Sequence, residues 1–580
     1  MNYIKFYILF IFLFFINIIK SSCDKCSCDQ ILLNTILEKP EQQVSCTKYC
    51  LPKTFFLPRS QGTNTARWLV GWERFLAPFK DHVQNGNINL VIEYSHSFDS
   101  KIISEYLFGS QCLSFKGSEV PNRDPNRDIM ADYFGLAPDF QGKICFKPKI
   151  QNVIAEVNYY LALDSWIKGL YARIHFPLTV TFWDLGSKIV EKKEKVRPIF
   201  PECYMSTNTS VYTQTLSNLK QALSGFGLFG NMTTPFNFGQ FPFKELHKTG
   251  IADIYVILGL TFISKPRHNL AFYFQSVIPG GNRPESVKFF EPIVGNGKSW
   301  EFGFGSEGRT VFFSTENHSL GFYFMGYFTH RFKTLQIRSF DFKDNGLLSR
   351  YLLLKQLKQS KDKYFYADNL INAINYATKA ARVGGLIVGD ASFKISYYIK
   401  KFGLDFGYNI WGTTAERIEI VPRLYPSDLN HILFGIKGTT GVCYRILNKE
   451  TDYVTPGKSL NSTESLSTIA NNSEVNNPQP IILEYPDVAI EWDSPINNNL
   501  KIAKDSNPPV FVKLDDLDPC SAAVPAQLSH KFFAHIDYNR FGIDWEPEIG
   551  LGGQIEFNGR KKLKSTTSQW AVWLKSQVTF

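Results

Sequence analysis

Cysteines near the amino terminus are the first residues whose spacing could support chemistry. Five of the ten cysteines lie in the first fifty residues, namely Cys23, Cys26, Cys28, Cys46 and Cys50. Paired cysteines can hold zinc, but the C-x-C and C-x₃-C spacings differ from the usual paired C-x₂-C knuckles, and no histidine lies near them. Disulfides, which form in oxidising compartments, are the favoured interpretation. Their connectivity stays open, and no metal site is predicted.

The histidines offer little catalytic chemistry. His175 lies beside Arg173 and could serve as a general base, but no serine or acidic partner can be assigned to it, so no triad is proposed. His530 and His535 are five residues apart and would point to opposite faces of a strand, where they cannot easily share a metal. The sequence therefore predicts a protein that is not an enzyme and needs no cofactor.

Two further motifs match known binding sites in residue type but not in their structural context. Gly303–Gly308 and Gly225–Gly230 both fit G-x-G-x-x-G, yet neither lies in a β–α unit, so neither predicts a dinucleotide site. Asp124, Asn126 and Asp128 resemble the start of a calcium loop. No glycine follows at the sharp turn and no glutamate closes the loop, so a surface turn is the better interpretation.

Composition places the chain between soluble and helical membrane proteins. Of its 580 residues, 15% are aromatic and 20% charged, and the mean hydropathy is −0.15. Past the amino terminus no run of 18 apolar residues occurs, so a membrane location would require a barrel of strands. The net charge of +10 is scattered, which argues against nucleic-acid binding and supports at most a slight preference for anionic solutes.

The amino terminus has the pattern of a secretion signal. Lys5 precedes an apolar run from Phe6 to Ile19, which is shorter than the ~20 residues that a membrane-spanning helix needs. Small residues, Ser21 and Ser22, follow at a position suited to cleavage. We predict a signal peptide over residues 1–23 and export through the Sec pathway, with an uncleaved anchor as the alternative.

Long segments in which apolar and polar residues alternate would form the strands that position the polar residues. The clearest runs from Leu170 to Trp183, with apolar side chains on one face and mostly polar ones on the other. Its length exceeds the mean globular strand and is enough to cross a bilayer. Pro177 is an objection, because proline removes a ladder hydrogen bond.

The same alternation recurs along the chain and assigns a set of inward side chains. If the apolar faces meet lipid, the opposite faces line a lumen that carries charges of both signs. The predicted lining residues are Arg173, His175, Asp405, Asn409, His535, Asp537, Gln554, Glu556 and Lys575.

Other segments are not strand-like. Residues 24–85 contain four of the five amino-terminal cysteines and a short helix that Thr63 or Asn64 could cap, and they are predicted to lie in the periplasm or plug the lumen. Residues 86–580 would form the barrel, with long loops at 186–250, 343–391 and 450–530. Within the second loop, apolar residues at helical spacing predict a helix over 347–383.

The last thirteen residues form an aromatic strand with no tail after it. Val572, Leu574, Val578 and Phe580 resemble the terminal assembly signal of Gram-negative outer-membrane β-barrel proteins, while Ser576 departs from it. With the signal segment and the alternating strands, the chain resembles this class as a whole, porin-like in size. The resemblance implies an all-β fold, a closed antiparallel transmembrane β-barrel of about 14 strands, within about 12 to 18, with helical loop or plug insertions.

The resemblance also implies a function and partners. The expected role is an outer-membrane porin-like channel for passive diffusion of small hydrophilic solutes. Outer-membrane lipid, lipopolysaccharide and the barrel-assembly machinery would be its partners, with no nucleic acid. A trimer is one option for the oligomeric state. Two alternatives remain, a plugged structural or adhesive surface barrel and a secreted soluble β-sandwich protein.

Overall fold

The fold is described from a computed structural model. It covers residues 52–71, 86–192, 198–201, 204–205, 214–360, 363–422, 432–438, 463–471, 509–539, 546–559 and 565–580. The predicted signal peptide and residues 24–51 lie outside the described residues, as does most of the predicted loop at 450–530.

Twelve long strands form a closed barrel in which each strand pairs antiparallel with its neighbour in sequence, and the last pairs with the first. The strands are β1 (Gly86–Ser97), β2 (Lys149–Ala162), β3 (Leu170–Asp184), β4 (Ile254–Lys265), β5 (His268–Ile278), β6 (Glu301–Ser314), β7 (His318–Arg331), β8 (Leu386–Ile399), β9 (Phe402–Thr413), β10 (Gln527–Asn539), β11 (Glu546–Asn558) and β12 (Gln569–Thr579). The predicted closed antiparallel β-barrel is confirmed, and its strand number lies at the lower end of the expected range.

The outer surface of the barrel is apolar. On β1, Ile88, Leu90 and Ile92 are 46%, 45% and 50% exposed, while Glu93 between the outward positions is buried. The other strands repeat this pattern, as alternation requires when one face meets lipid and the other faces the lumen. The alternative of a soluble β-sandwich is therefore wrong, because the sheet closes on itself and its apolar face points outward.

No helix among the described residues is long and apolar enough to cross a membrane.

Connections differ sharply between the two ends of the barrel. At one end, called the turn end, strands are joined by residues 163–169, 266–267, 315–317, 400–401 and 540–545. At the other end, the connections are residues 98–148, 185–253, 279–300, 332–385, 414–526 and 559–568. The described residues of these excursions build the cap, a set of small sheets and short helices around one buried apolar cluster.

The cap contains the remaining elements. Its α-helices are Ser100–Phe108, Leu219–Ser224 and Ala373–Ala377, with 3-10 turns at Ala131–Phe134, Ser349–Tyr351, Leu514–Asp516 and Pro519–Ala522. Its strands are Cys112–Lys116, Ile129–Met130, Gln141–Cys145, Lys188–Glu191, Leu246–Ile251, Thr334–Ser339, Asp341–Phe342, Leu353–Ser360, Lys363–Asn372, Thr378–Gly384, Arg417–Ile420, Leu433–Lys437 and Leu517–Asp518. A disulfide joins Cys112 to Cys145 across two paired cap strands.

The predicted helix over 347–383 is wrong. Leu353–Ser360 and Lys363–Asn372 form a hairpin, and among the described residues of this range only Ala373–Ala377 is α-helical, with a 3-10 turn at Ser349–Tyr351. Leu353, Leu354 and Lys355 are all buried, so both faces of this strand pack against protein. A strand covered on both faces loses its period of two, and its apolar run then cannot be told from a buried helix by periodicity.

The strand Leu246–Ile251 continues β4 beyond the barrel wall. It pairs with β3 from Leu178 onward, whereas His175 of β3 pairs with Tyr255, so the register shifts by one residue between them. This irregularity lies opposite Pro177, whose carbonyl oxygen accepts a hydrogen bond from the backbone N–H of Ala252 at 2.9 Å. Proline is tolerated at such bulges, which answers the objection to this strand.

Candidate functional site

Residues 52–71, called the plug segment, run through the lumen. At the cap end, the Lys53 backbone N–H donates to the Tyr106 carbonyl at 2.8 Å, and the Phe56 ring packs edge-on against that of Tyr106. At the turn end, the Gln577 side chain of β12 donates to the Gly71 carbonyl at 2.9 Å. The segment therefore crosses the lumen from cap to turn end before β1 begins.

A single helical turn, α1 (Thr65–Leu69), occupies the middle of the lumen. Asn64 caps it, because its side chain accepts a hydrogen bond from the Arg67 backbone N–H at 3.2 Å. All five of its residues are buried. The turn projects Arg67 and Trp68 toward β1, β2 and β3.

Arg67 is held between two carboxylates of the wall. Its guanidinium is 2.7 Å from the Glu93 carboxylate and also pairs with Glu156, and all three side chains are almost completely buried. The indole N–H of Trp68 donates to the other oxygen of Glu156 at 2.7 Å. A buried guanidinium with two such partners is fully neutralised, as a charge in this environment must be.

Arg59 repeats the arrangement nearer the cap. It pairs with Asp390 at 2.6 Å and Glu556 at 3.4 Å, and it donates to the Asn409 side chain at 3.0 Å. Its guanidinium also lies 5.5 Å from the ring centroid of Trp411. Both arginines of the plug segment thus bridge carboxylates from two strands.

The bulge beside β4 is a third contact with the plug segment. The Ser60 hydroxyl donates to the buried Asp253 carboxylate at 2.6 Å, and Thr63 hydrogen-bonds the Tyr255 hydroxyl. At Gly62 an added Cβ would come within 3.0 Å of the Asp253 carbonyl oxygen. The chain therefore passes so close to the wall here that only glycine fits comfortably.

Five of the predicted lining residues touch the plug segment. His175 stacks on Trp68 with ring centroids 4.1 Å apart, and the Gln554 side chain accepts from Asn64 at 3.3 Å. The Lys575 ammonium donates to the carbonyls of Arg67 and Val70. Asn409 and Glu556 both contact Arg59, as described above.

The other four are buried in the wall and contact their neighbours in the sheet. Arg173 pairs with Glu307 at 2.7 Å, and Asp405 pairs with Lys394 at 2.8 Å. His535 accepts from the Trp573 indole and Asp537 accepts from the Asn539 side chain. All nine predicted residues are buried, and the structure divides them between plug contacts and contacts within the wall.

His535, Asp537 and Glu548 form a cluster with metal-ligand chemistry. Their candidate donor atoms lie within 4.8 Å of one another. The Trp573 indole N–H, which can only donate, points at Nδ1 of His535 from 3.3 Å. A neutral ring that accepts at Nδ1 carries its proton on Nε2, so in this tautomer Nε2 is a hydrogen-bond donor and offers no lone pair to a metal.

Among the described residues of the twelve barrel strands, buried acidic and basic side chains are unequal in number. Nine carboxylates face five bases, which leaves four more carboxylates than bases. The carboxylates are Glu93, Glu156, Glu301, Glu307, Asp390, Asp405, Asp537, Glu548 and Glu556, and the bases are Arg173, Arg331, Lys394, Lys531 and Lys575. The plug segment carries Lys53, Arg59 and Arg67 and no carboxylate, so its charge complements the wall.

Sequence reasoning missed the residues that hold the plug segment in place. Glu93 and Glu156 lie on inward positions of β1 and β2, and the alternation that selected Arg173 would also have selected them. Arg59 and Arg67 carry no such signal, since they lie outside any strand. Their role depends on the path of the segment through the lumen.

The terminal residues lie on the seam that closes the barrel. Val572, Leu574 and Phe580 are 48%, 46% and 42% exposed on the outer face of β12, with Val578 in the same row. Phe580 and Gly86 exchange both backbone hydrogen bonds, at 2.7 and 2.9 Å. The last strand therefore seals against the first.

Solved structures of outer-membrane barrels are similar to this chain. They include an outer-membrane channel, COG4313, from Pseudomonas putida F1 (8% identity, 85% of this chain and 96% of that chain, TM-score 0.30). The translocator domain of the autotransporter NalP from Neisseria meningitidis (7%, 89% and 94%, 0.26) and a Pseudomonas aeruginosa FadL homologue (8%, 91% and 99%, 0.26) are also similar. At these scores the assignment of the fold rests on the strand pairing of this chain.

No protein-family model and no curated protein sequence matches the chain. The resemblance to the outer-membrane β-barrel class is confirmed as a fold, and no family is assigned.

Proposed function

We propose that the protein is an outer-membrane channel for small hydrophilic solutes and that the plug segment holds it closed in the described state. The observation that carries this proposal is the polar contact surface in the lumen, where Arg59 and Arg67 meet wall carboxylates. Buried ion pairs can often be replaced by packed apolar side chains without loss of stability. A plug segment that only stabilised the barrel would not need buried ion pairs. A charged lumen wall, in contrast, can be solvated by water and solute when the plug segment leaves.

The orientation and biogenesis follow from the class of barrel. Tight turns face the periplasm and long loops face outward, which places the cap outside the cell. Export would use the predicted signal peptide at residues 1–23, and the assembly machinery would read Val572, Leu574, Val578 and Phe580. Phe580→Ala is expected to lower the folded, heat-modifiable fraction in membranes, whereas Leu466→Ala, at an exposed cap residue, should not.

Conductance in a planar bilayer tests the channel. The unaltered protein should be closed for most of the record, and Arg59→Gln combined with Arg67→Gln should produce stepwise openings. Lys168→Gln, in the exposed connection between β2 and β3, is the matched control and should stay closed. A folded, heat-modifiable double variant that never conducts would contradict the proposal.

A structural or adhesive surface barrel is the second candidate, and the cap favours it. The cap buries a large apolar cluster across the end of the barrel, and Phe55 and Phe56 of the plug segment are part of it. A solute would have to pass this domain as well. If the Arg59→Gln and Arg67→Gln double variant folds but does not conduct in the bilayer, the result would favour this second candidate.

A further inference from the structure

We infer that the lumen wall is a binding site for small solutes bearing guanidinium or ammonium groups, and that Arg59 and Arg67 occupy it in the described state. The inference rests on the proposed channel function for its biological meaning, since it names the class of solute that would replace the plug segment.

The first ground is the geometry at Arg67. Two carboxylates from neighbouring strands, Glu93 and Glu156, converge on one guanidinium, and all three side chains are almost completely buried. A planar guanidinium between two carboxylates is a favoured arrangement, because its donors match the acceptor oxygens. His175 of the wall lies beside Glu156, with Nδ1 3.2 Å from its carboxylate, and stacks on Trp68 of the plug segment.

The second ground is that the arrangement occurs twice. Asp390 and Glu556 converge on Arg59 just as Glu93 and Glu156 converge on Arg67. Without the plug segment, Asp390, Glu93 and Glu156 would face the lumen lacking these cations. Glu556 would keep Lys531 of the wall 3.9 Å away. Like charges in a confined space of low dielectric raise the local concentration of cations.

The third ground is the charge of the wall as a whole. The chain has a net charge of +10, which from sequence supports a slight preference for anions. The buried wall has the opposite sign, with four more carboxylates than bases among the described residues of the twelve barrel strands. Selectivity is set where a solute is dehydrated and confined, so the lumen outweighs the outer surface.

A basic cavity at the turn end does not change the expected preference for cationic solutes. It has a volume of about 460 Å³ and is lined by Arg267, Arg309 and Lys400, with Glu316 among them. Arg267 and Lys400 are exposed to bulk water at the mouth. Salt screens exposed charges over about 8 Å at physiological ionic strength, while buried charges are screened much less.

Chemical rescue tests the site without reference to conductance. Arg67→Ala should lower the unfolding temperature of the purified full-length protein in detergent, and methylguanidinium should restore it with saturation. Urea, a neutral molecule of similar shape, should not. Adding Glu156→Gln should weaken the apparent Kd of methylguanidinium about tenfold, since one charged hydrogen bond is lost.

Arg382→Ala is the matched control, because Arg382 pairs with Glu419 on the exposed surface. Methylguanidinium should not change its unfolding temperature. Should Arg67→Ala fail to fold, Arg59→Ala provides the same test against Asp390 and Glu556. Rescue that is absent at both sites, or equal in the control or with urea, overturns the inference. A channel that conducts without rescue contradicts only this inference, and rescue without conductance contradicts only the proposed function.

Discussion

Two buried arginines connect the plug segment to the barrel wall. Each bridges carboxylates from different strands, and the Arg59 and Arg67 side chains are 6% and 0% exposed. Removing one partner of such a pair costs more than the pair contributes, because the remaining charges stay buried without compensation. The arginines therefore make the position of the plug segment specific.

Arg67→Met should destabilise the protein by about 3–5 kcal/mol, because Glu93 and Glu156 then face each other without a counter-charge. Thermal unfolding in detergent would measure the loss. Adding Glu156→Gln should restore part of the stability, since one uncompensated carboxylate is removed. Lys101→Met, at an exposed pair with Glu105, should change stability little, and an equal effect in both variants would contradict the account.

The cap carries a pH-sensitive pair at the candidate calcium loop. Asp128 accepts hydrogen bonds from Lys116 and from the Asp124 backbone, both at 2.8 Å. Burial alone would raise the pKa of the Asp128 carboxyl, but these bonds outweigh burial and hold the pKa below its usual value. The carboxylate is thus satisfied by protein groups, which agrees with the interpretation as a turn.

A lowered carboxyl pKa gives stability that is present above the ordinary value of about 4 and lost as pH falls through the lowered one. Hydrogen-exchange protection of residues 117–130 should therefore persist at pH 5 and disappear on acidification below about 4. Lys116→Met should move the loss to higher pH and weaken protection by about 0.5–1 kcal/mol at neutral pH. An unchanged acid midpoint in the variant would contradict the pairing.

Inward side chains could be chosen from sequence because alternation is a local property of each strand. Arg173 and Glu556 were assigned in this way, and both side chains are buried in the lumen. Arg59 and Arg67 could not be assigned, since nothing local indicates that a non-strand segment passes between twelve strands. The partners of a buried charge are a property of the closed barrel.

The sequence predicts strands that face lipid better than elements packed on both sides. Alternation predicts β3 over Leu170–Trp183, and the strand extends to Asp184. The sequence predicts a helix where the structure has the cap hairpin at Leu353–Asn372, because burial on both faces removes the alternation. Periodicity therefore predicts the barrel and fails in the cap.

Substitutions of strand glycines test how closely neighbouring barrel strands pack. An added Cβ at Gly303 of β6 would lie 1.8 Å from the Phe328 carbonyl oxygen of β7, and backbone cannot move aside cheaply. Gly303→Ala should cost about 1–3 kcal/mol through overpacking and lower the yield of folded barrel. Gly553→Ala, where the nearest atom is 3.4 Å away, is the control. Equal stability of the two variants, measured by heat modifiability, would contradict the described pairing of β6 with β7.

The whole molecule combines a simple barrel with two obstructions, the cap at one end and the plug segment in the lumen. Strands follow one another around the barrel in sequence order, and all long connections gather at the cap end. The plug segment crosses the lumen once, from the cap to the turn end, and its positive charge matches an acidic wall. These features together support a channel that its own amino-terminal segment keeps closed.

Locking the plug segment to the wall is the most direct test of this account. The Thr65 and Ser392 hydroxyl oxygens are 2.7 Å apart, so cysteines at these positions can form a disulfide. In a planar bilayer, the Arg59→Gln and Arg67→Gln double variant that also carries Thr65→Cys and Ser392→Cys should be silent when oxidised and conduct after reductant is added. The double arginine variant alone, and each single-cysteine variant in that background, should conduct equally before and after reductant. Conductance of the oxidised double-cysteine variant equal to that of the reduced one would contradict closure of the channel by the plug segment.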